Sequence, residues 1–172
     1  MGLKRIDHIG VAVNDVGQVA RLFCEILGTD PAGEEDLPGE GLEVISVAAG
    51  DDTIEFFTPT RADHTVRRFL DKRGNAIHHI CIEVDDLDYE LRRLKSLGVE
   101  LVDETPRTGA HARRVAFLHP RSTGGILIEL SEHPSGGPAD LAPQRRPADL
   151  APQRRPAPGA PALAPACRPT PV

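Results

Sequence analysis

The chain has 172 residues, 40% of them apolar, and a formal net charge of −6. That length suffices for one domain with a sizeable core, and no apolar run approaches the roughly 20 residues that a membrane span requires. The charge is uneven: residues 138–172 hold five Arg against two Asp, which leaves −9 on the first 137 and excludes a nucleic-acid-binding domain, because a phosphate backbone demands a basic surface.

Cys24, Cys81 and Cys167 are far apart and form no CxxC pair, so free thiols are expected rather than a disulfide framework or a zinc ribbon. The amino terminus lacks the apolar stretch of a secretory signal. A cytoplasmic location is the expectation.

The first strand is read over about Lys4 to Val13, with Ile9, Val11 and Val13 on one face and Ile6, His8, Gly10 and Ala12 on the other. The residues beside His8 are small, as a cavity wall requires. From Asp15 a helix follows, carrying Val16, Val19, Ala20, Phe23, Ile26 and Leu27 at helical spacing, with Gly28 as its stop. Its apolar stripe should pack on the Ile9/Val11/Val13 face.

Residues 29–41, rich in acids, Gly and Pro, support no more than a short strand and a loop. Leu42 to Ala48 and Asp52 to Thr58 read as a hairpin turning at Gly50-Asp51. In the second of these strands Glu55 lies opposite Ile54 and Phe56. Asp63 to Arg73, stopped by Gly74, reads as a linking helix.

Ala76 to Val84 then restates the opening strand. Asp7-His8-Ile9-Gly10-Val11 corresponds to His78-His79-Ile80-Cys81-Ile82, and His8 and His79 are 71 residues apart. A helix capped by Asp86 and stopped by Gly98 follows, and then strands near 99–102, 113–118 and 125–131. Glu129 in Leu127-Ile128-Glu129-Leu130 matches Glu55, 74 residues earlier. In that last strand Ile126, Ile128 and Leu130 should face the helices. The chain is therefore a tandem duplication of β-α-β-β-β units with one His and one Glu per copy.

The expected fold is α+β: two tandem β-α-β-β-β modules whose strands form one curved mixed sheet around a metal cleft. The domain is set at residues 1–134, with module one over about 4–60, the linking helix over about 61–74 and module two over about 76–133. Pro138 to Arg146 recurs unchanged as Pro147 to Arg155, and residues 135–172 are dominated by Pro and Ala. Such a composition buries too little apolar surface to offset ordering entropy, so a disordered tail is expected.

His8, Glu55, His79 and Glu129 share strand parity and repeat position. On an inward-curving sheet they converge, and two imidazoles with two carboxylates suit a divalent metal with positions left for water or substrate. Each residue alone has a structural reading, as a hydrogen-bonded His or an edge-strand charge. Their matched placement in both copies favours the metal site. His78, of opposite parity, reads as structural, and Cys81 as a small buried filler. His111 and His119 lie near the last strands and are candidates for the cleft mouth, with no partner legible for either.

These residues resemble the vicinal oxygen chelate superfamily, which includes glyoxalase I, extradiol dioxygenases and bleomycin-resistance proteins. Within it, Ile6 to Val13, Phe69 to Gly74 leading into Ile77 to Ile80, and above all Gly109 to Leu130 are similar to the methylmalonyl-CoA epimerase family. The resemblance covers about residues 4–133. It implies a vicinal oxygen chelate fold, and a metal-dependent isomerase that interconverts the C2 epimers of methylmalonyl-CoA through an enolate. It further implies a divalent ion held by His8, His79 and Glu129, with Glu55 where some members have a Gln ligand. Cobalt is the expected ion, with Mn2+, Ni2+ and Zn2+ as alternatives. A homodimer and an acyl-CoA substrate are implied too, with no nucleic-acid or membrane partner.

Glu129 is the expected catalytic base. Some members place a second catalytic Glu three positions after a glycine; here Gly41 is followed by Leu42, Glu43 and Val44, one position early, and a one-residue slip reverses the face of a strand. Glu43 fills that role only if a bulge restores it; otherwise another group takes the second proton. Two other readings stand beside the epimerase. One is a glyoxalase I-like lactoylglutathione lyase, although such enzymes carry an Asp-Pro-x-Gly-Tyr-type turn where this chain has His119 to Gly125. The other is a metal-free small-ligand-binding protein of the bleomycin-resistance type, which has no need of acids and imidazoles in its cleft.

Overall fold

The computed structural model describes residues 3–133. The proposed tail and Cys167 lie outside the described residues. In chain order the elements are β1 (Leu3–Ala12), α1 (Val16–Leu27), β2 (Pro31–Leu37), β3 (Leu42–Ala49), β4 (Asp52–Pro59), α2 (Thr65–Arg73), β5 (Ala76–Val84), α3 (Leu87–Ser96), β6 (Arg107–Thr108), β7 (Arg114–Leu118) and β8 (Ile128–Glu132). Single 3-10 turns cover Ala110–Ala112 and Pro120–Ser122.

Helix boundaries follow from local chemistry. Asp15 accepts a hydrogen bond from the Gln18 amide at the start of α1, and Asp86 does the same for Tyr89 at the start of α3. Gly28 closes α1 with φ +66°, in the left-handed region that suits glycine. α2 starts later than the sequence pattern indicates, because the His64 imidazole is its cap and accepts from the Val66 amide.

All eight strands form one sheet, ordered β2-β3-β4-β1-β5-β8-β7-β6. It curls into a mixed half-barrel, the vicinal oxygen chelate architecture. The two copies meet at β1 and β5, which are antiparallel with Ile9 opposite Ile80, His8 opposite Cys81 and Gly10 opposite His79. That register is self-symmetric, since exchanging the copies turns one pair into the other. The flanking parallel pairs repeat it, with Gly10 opposite Glu55 and Cys81 opposite Glu129. A local two-fold relationship thus passes near the Ile9–Ile80 pair and relates Glu55 to Glu129.

The apolar faces seal the outside of the sheet. Val13, Val16, Ala20, Val47 and Phe56 form the core under α1, and Val84, Leu87, Leu91, Ala116, Leu118 and Leu130 the core against α3. Their largest members are buried by the hydrophobic gain of removing apolar area from water. A third cluster joins Ala12, Val44 and Phe57, of inward parity, to Val66 and Leu70 of α2. The linking helix therefore closes one end of the concave side.

Module two departs from the repeat at its edge. The strand expected near 99–102 reduces to an isolated bridge from Leu101 to Leu118, and the edge strand is the two-residue β6. Pro106, which cannot donate to a ladder, stands between them. β8 begins at Ile128 rather than at 125, because Gly124 and Gly125 take φ values of +69° and +94°, and Ile126 is left exposed instead of facing the helices.

Candidate active site

The concave side of the sheet holds a cavity of about 390 Å³, within the size range of small-molecule sites. His8 and His79 enter it from the central strands, and Glu55 and Glu129 from the strands beside them. All four are buried, at 5–7% exposure. Phe57, Val66 and Phe117 supply apolar wall, and Arg107 and Arg113 are its cations.

The four residues are not equivalent in their contacts. Nε2 of His8 is 3.2 Å from Nε2 of His79, and Oε2 of Glu129 is 2.8 Å from His79 Nε2 and 3.5 Å from His8 Nε2. Glu55 approaches His8 alone among these, at 3.4 Å, and turns its other oxygen toward His111 Nε2 at 3.6 Å. His8, His79 and Glu129 therefore converge as a three-donor set. Two ligands about 2.1 Å from one ion and at about a right angle stand about 3 Å apart, which is the separation of the two imidazole nitrogens. The donor set fits a divalent metal.

Neighbouring groups fix which nitrogen faces inward. Asp7, an acceptor-only carboxylate, takes a hydrogen bond from His8 Nδ1 at 3.0 Å, leaving the Nε2 lone pair for the cavity. Asp7 also pairs with Arg113. Strict alternation would place Asp7 and His8 on opposite faces, but a register shift between Ile6 and His8 lets both be buried. Asp7 was invisible to a reading based on parity; its adjacency to a ligand was the only signal.

Nδ1 of His79 meets Nδ1 of His78 at 3.0 Å. Burial, with His79 beside it, lowers the pKa of His78 to about 4. Held neutral, His78 can accept from His79 Nδ1 and leave Nε2 for coordination. The expectation of a structural His78 is met in its edge-on packing against Phe57 and Phe69, and its ring also forms part of the cavity wall.

Electrostatics concentrate charge here. Burial alone would raise the carboxyl of Glu129, but hydrogen bonds from His79 and His8 outweigh it and hold the group well below the usual carboxylate range. Burial opposes the charged form of His8, and the bond to Asp7 with the facing carboxylates overcomes that and raises it. Glu55 is likewise lowered against burial by His111. Cys81, fully buried, has its thiol pushed up to about 11 by burial and is the small filler expected.

Glu43 is not brought to the site. No bulge interrupts β3 where it pairs with β4; Glu43 lies opposite Thr58, exposed, while Val44 takes the cavity face. His119 caps the 3-10 turn at Pro120 by accepting from the Arg121 amide. His111 has partners that the sequence did not reveal: its backbone amide donates to Glu35 at 2.8 Å, and its ring lies near Ser46 and Glu55.

The family model of the glyoxalase/bleomycin resistance protein/dioxygenase superfamily matches residues 7–117, and the chain belongs to that superfamily. Within it, human mitochondrial methylmalonyl-CoA epimerase is 35% identical over 131 residues, which is 76% of this chain and 74% of the relative. Among solved structures, methylmalonyl-CoA epimerase from Mycobacterium tuberculosis has a TM-score of 0.73 and 36% identity, covering 77% of this chain and 91% of that one. A methylmalonyl-CoA epimerase in complex with methylmalonyl-CoA and NH4+ aligns with a TM-score of 0.73 at 29% identity, over 76% of this chain and 95% of its own.

Proposed function

We infer that this protein is a methylmalonyl-CoA epimerase, an isomerase that inverts C2 of its acyl-CoA substrate by removing and returning a proton. The observation that carries the reading is the convergence of His8 Nε2, His79 Nε2 and the Glu129 carboxylate in one buried cavity, in a chain this similar to enzymes of that name.

His8, His79 and Glu129 would hold the divalent ion. When bound, it supplies Lewis-acid stabilisation of the charge that develops on the substrate thioester. Asp7 and His78 keep the two imidazoles turned with Nε2 inward. Glu129, on the cavity face, takes the C2 proton. Phe57, Val66 and Phe117 keep water from the carbanion, and in the absence of bulk water the buried carboxylates and imidazoles act at low local dielectric. Inversion changes no oxidation state, so the reaction requires no redox partner.

Cobalt as the ion, a second copy of the chain as partner and a cytoplasmic place of work belong to the same proposal. Cys24 and Cys81 are free thiols, which suits a reducing compartment. Among the described residues no helix is long and apolar enough to cross a membrane.

The test is direct. The Co2+-loaded chain in heavy water should incorporate deuterium at C2 of methylmalonyl-CoA while interconverting its epimers, and His79→Ala should lose both the metal and the exchange. Turnover of the hemithioacetal of methylglyoxal and glutathione, with no exchange on the thioester, would replace this reading with a glyoxalase.

A further inference from the structure

Glu55 turns one oxygen toward the three-donor set and the other toward a loop of the opposite module. Resting on the epimerase reading, we propose that His111, braced by Glu35, is a positioning residue: it holds Glu55 as a one-oxygen donor to the divalent ion, so that coordination positions stay open for both oxygens of the substrate.

The placement of Glu55 carries the first part. The register that relates the two copies gives Glu55 and Glu129 equivalent places on either side of the central β1–β5 pair. Oε2 of Glu55 lies 3.4 Å from His8 Nε2, and Oε2 of Glu129 lies 3.5 Å from the same atom. Glu55 is thus the fourth donor, matched to Glu129 as the repeat demands. Its Oε1 faces His111 Nε2 at 3.6 Å. The same nitrogen is 3.5 Å from the hydroxyl of Ser46, a buried residue directly across the β3–β4 pair from Glu55.

Counting donors shows what that orientation does. A carboxylate binds a cation through one oxygen or through both. With one atom from each of His8, Glu55, His79 and Glu129, an octahedral ion of about six positions keeps about two. A methylmalonyl thioester offers a carbonyl oxygen and a carboxylate oxygen to fill them. If Glu55 turned its second oxygen inward as well, the substrate would have to displace it.

The chain bends to place His111 there. His111 and Ala112 have φ values of +55° and +54°, a left-handed conformation that residues with a side chain rarely adopt and that persists where surrounding contacts enforce it. Here the His111 amide donates to Glu35 Oε2 at 2.8 Å, and Nδ1 of the ring is 3.4 Å from the same oxygen. Glu35 belongs to β2, the edge strand of module one, so the loop of module two is anchored across the open side of the sheet. With Nδ1 fixed on Glu35, the far edge of the ring meets Glu55. His111 stands behind Glu55, outside the cavity wall, and acts through it.

The experiment uses the full chain loaded with Co2+. His111→Gly removes the ring at a backbone position that glycine adopts without strain, and His111→Gln returns an N–H donor near the place of Nε2. His111→Gly should bind Co2+ as tightly as wild type or tighter, and it should change the visible absorption of bound Co2+ before any substrate is added. KM for methylmalonyl-CoA should rise about tenfold with kcat within about threefold of wild type. His111→Gln should restore the absorption and most of the KM. In a Glu55→Ala background, His111→Gly should leave the absorption as it is, because the effect runs through Glu55. An unchanged absorption or KM in His111→Gly, a loss confined to kcat, or no recovery in His111→Gln would each overturn the assignment. So would weaker Co2+ binding, which a merely structural loop would give, or an absorption change that persists without Glu55. Should His111→Gly fail to fold, Glu35→Ala removes the brace alone: KM should rise about threefold with Co2+ affinity retained, and an unchanged KM would overturn the proposal. If the wild-type chain interconverts no epimers, the epimerase reading itself fails, and the absorption measured without substrate still decides the role of His111.

Discussion

A methyl group on Gly10 would stand 2.2 Å from Cε1 of His79 and 2.5 Å from its Nε2. The imidazole of the second copy thus occupies the space that a side chain on β1 would fill, directly across the register pair Gly10–His79. This glycine is a matter of clearance rather than of backbone freedom. Gly10→Ala should drive His79 out of line and lower metal affinity by ten- to a hundredfold, the range typical of misplaced ligand support. Titration with Co2+ and assay of turnover on the same preparation would check this, and a variant that binds metal like wild type would refute it.

The pair of Asp7 with Arg113 separates two duties of one carboxylate. Asp7→Ala removes both the acceptor for His8 Nδ1 and the partner of a guanidinium that is only 16% exposed. It should lower metal affinity by ten- to a hundredfold and stability by roughly 3 kcal/mol. Asp7→Asn keeps an oxygen for His8 but no charge for Arg113. That variant should show most of the stability loss in a urea titration and little of the affinity loss. Equal behaviour of the two variants in both measurements would sink the division.

How much of this was legible in the sequence depends on which physical signal each residue leaves. The duplication, the cap residues Asp15 and Asp86, and the inward parity of His8, Glu55, His79 and Glu129 are written in periods of two and three to four residues, and the structure follows them. Parity also warned that Glu43 faces outward, and it does. What parity cannot show is an interruption of parity. The bulge that turns both Asp7 and His8 inward, the left-handed turn at His111 and the shortening of the strand near 99–102 to a bridge all depend on contacts across the sheet. The approach of His111 to Glu55, from a loop of the other module, is likewise a contact that parity cannot show.

Glu83 offers a pH test away from the metal ligands. Burial would raise its carboxyl, but hydrogen bonds from Arg5 and Lys4, at 2.8 and 3.2 Å, outweigh that and hold it below its ordinary value of 4.5. A carboxyl lowered in the folded state stabilises fully above its unfolded value, and that contribution fades as pH falls through the folded one. Because Lys4 and Arg5 are 44% and 46% exposed, the contribution is screened to about 1 kcal/mol. Glu83→Gln should therefore be less stable than wild type at pH 7 by about that amount, with the gap closing below pH 4.5. A gap that widens as pH falls would contradict the sign.

Glu129 is asked to be both ligand and base, and Gln at that position pulls the two apart. The amide is nearly isosteric and keeps an oxygen on the cavity face beside His79 Nε2, now 2.8 Å from the carboxylate, so the fold and much of the metal affinity should survive. It cannot take a proton from carbon. A general base contributes about 10²–10⁴-fold, and interconversion should fall within that range while thermal unfolding stays cooperative. Full interconversion by a folded, Co2+-loaded Glu129→Gln chain would show that another group takes the C2 proton.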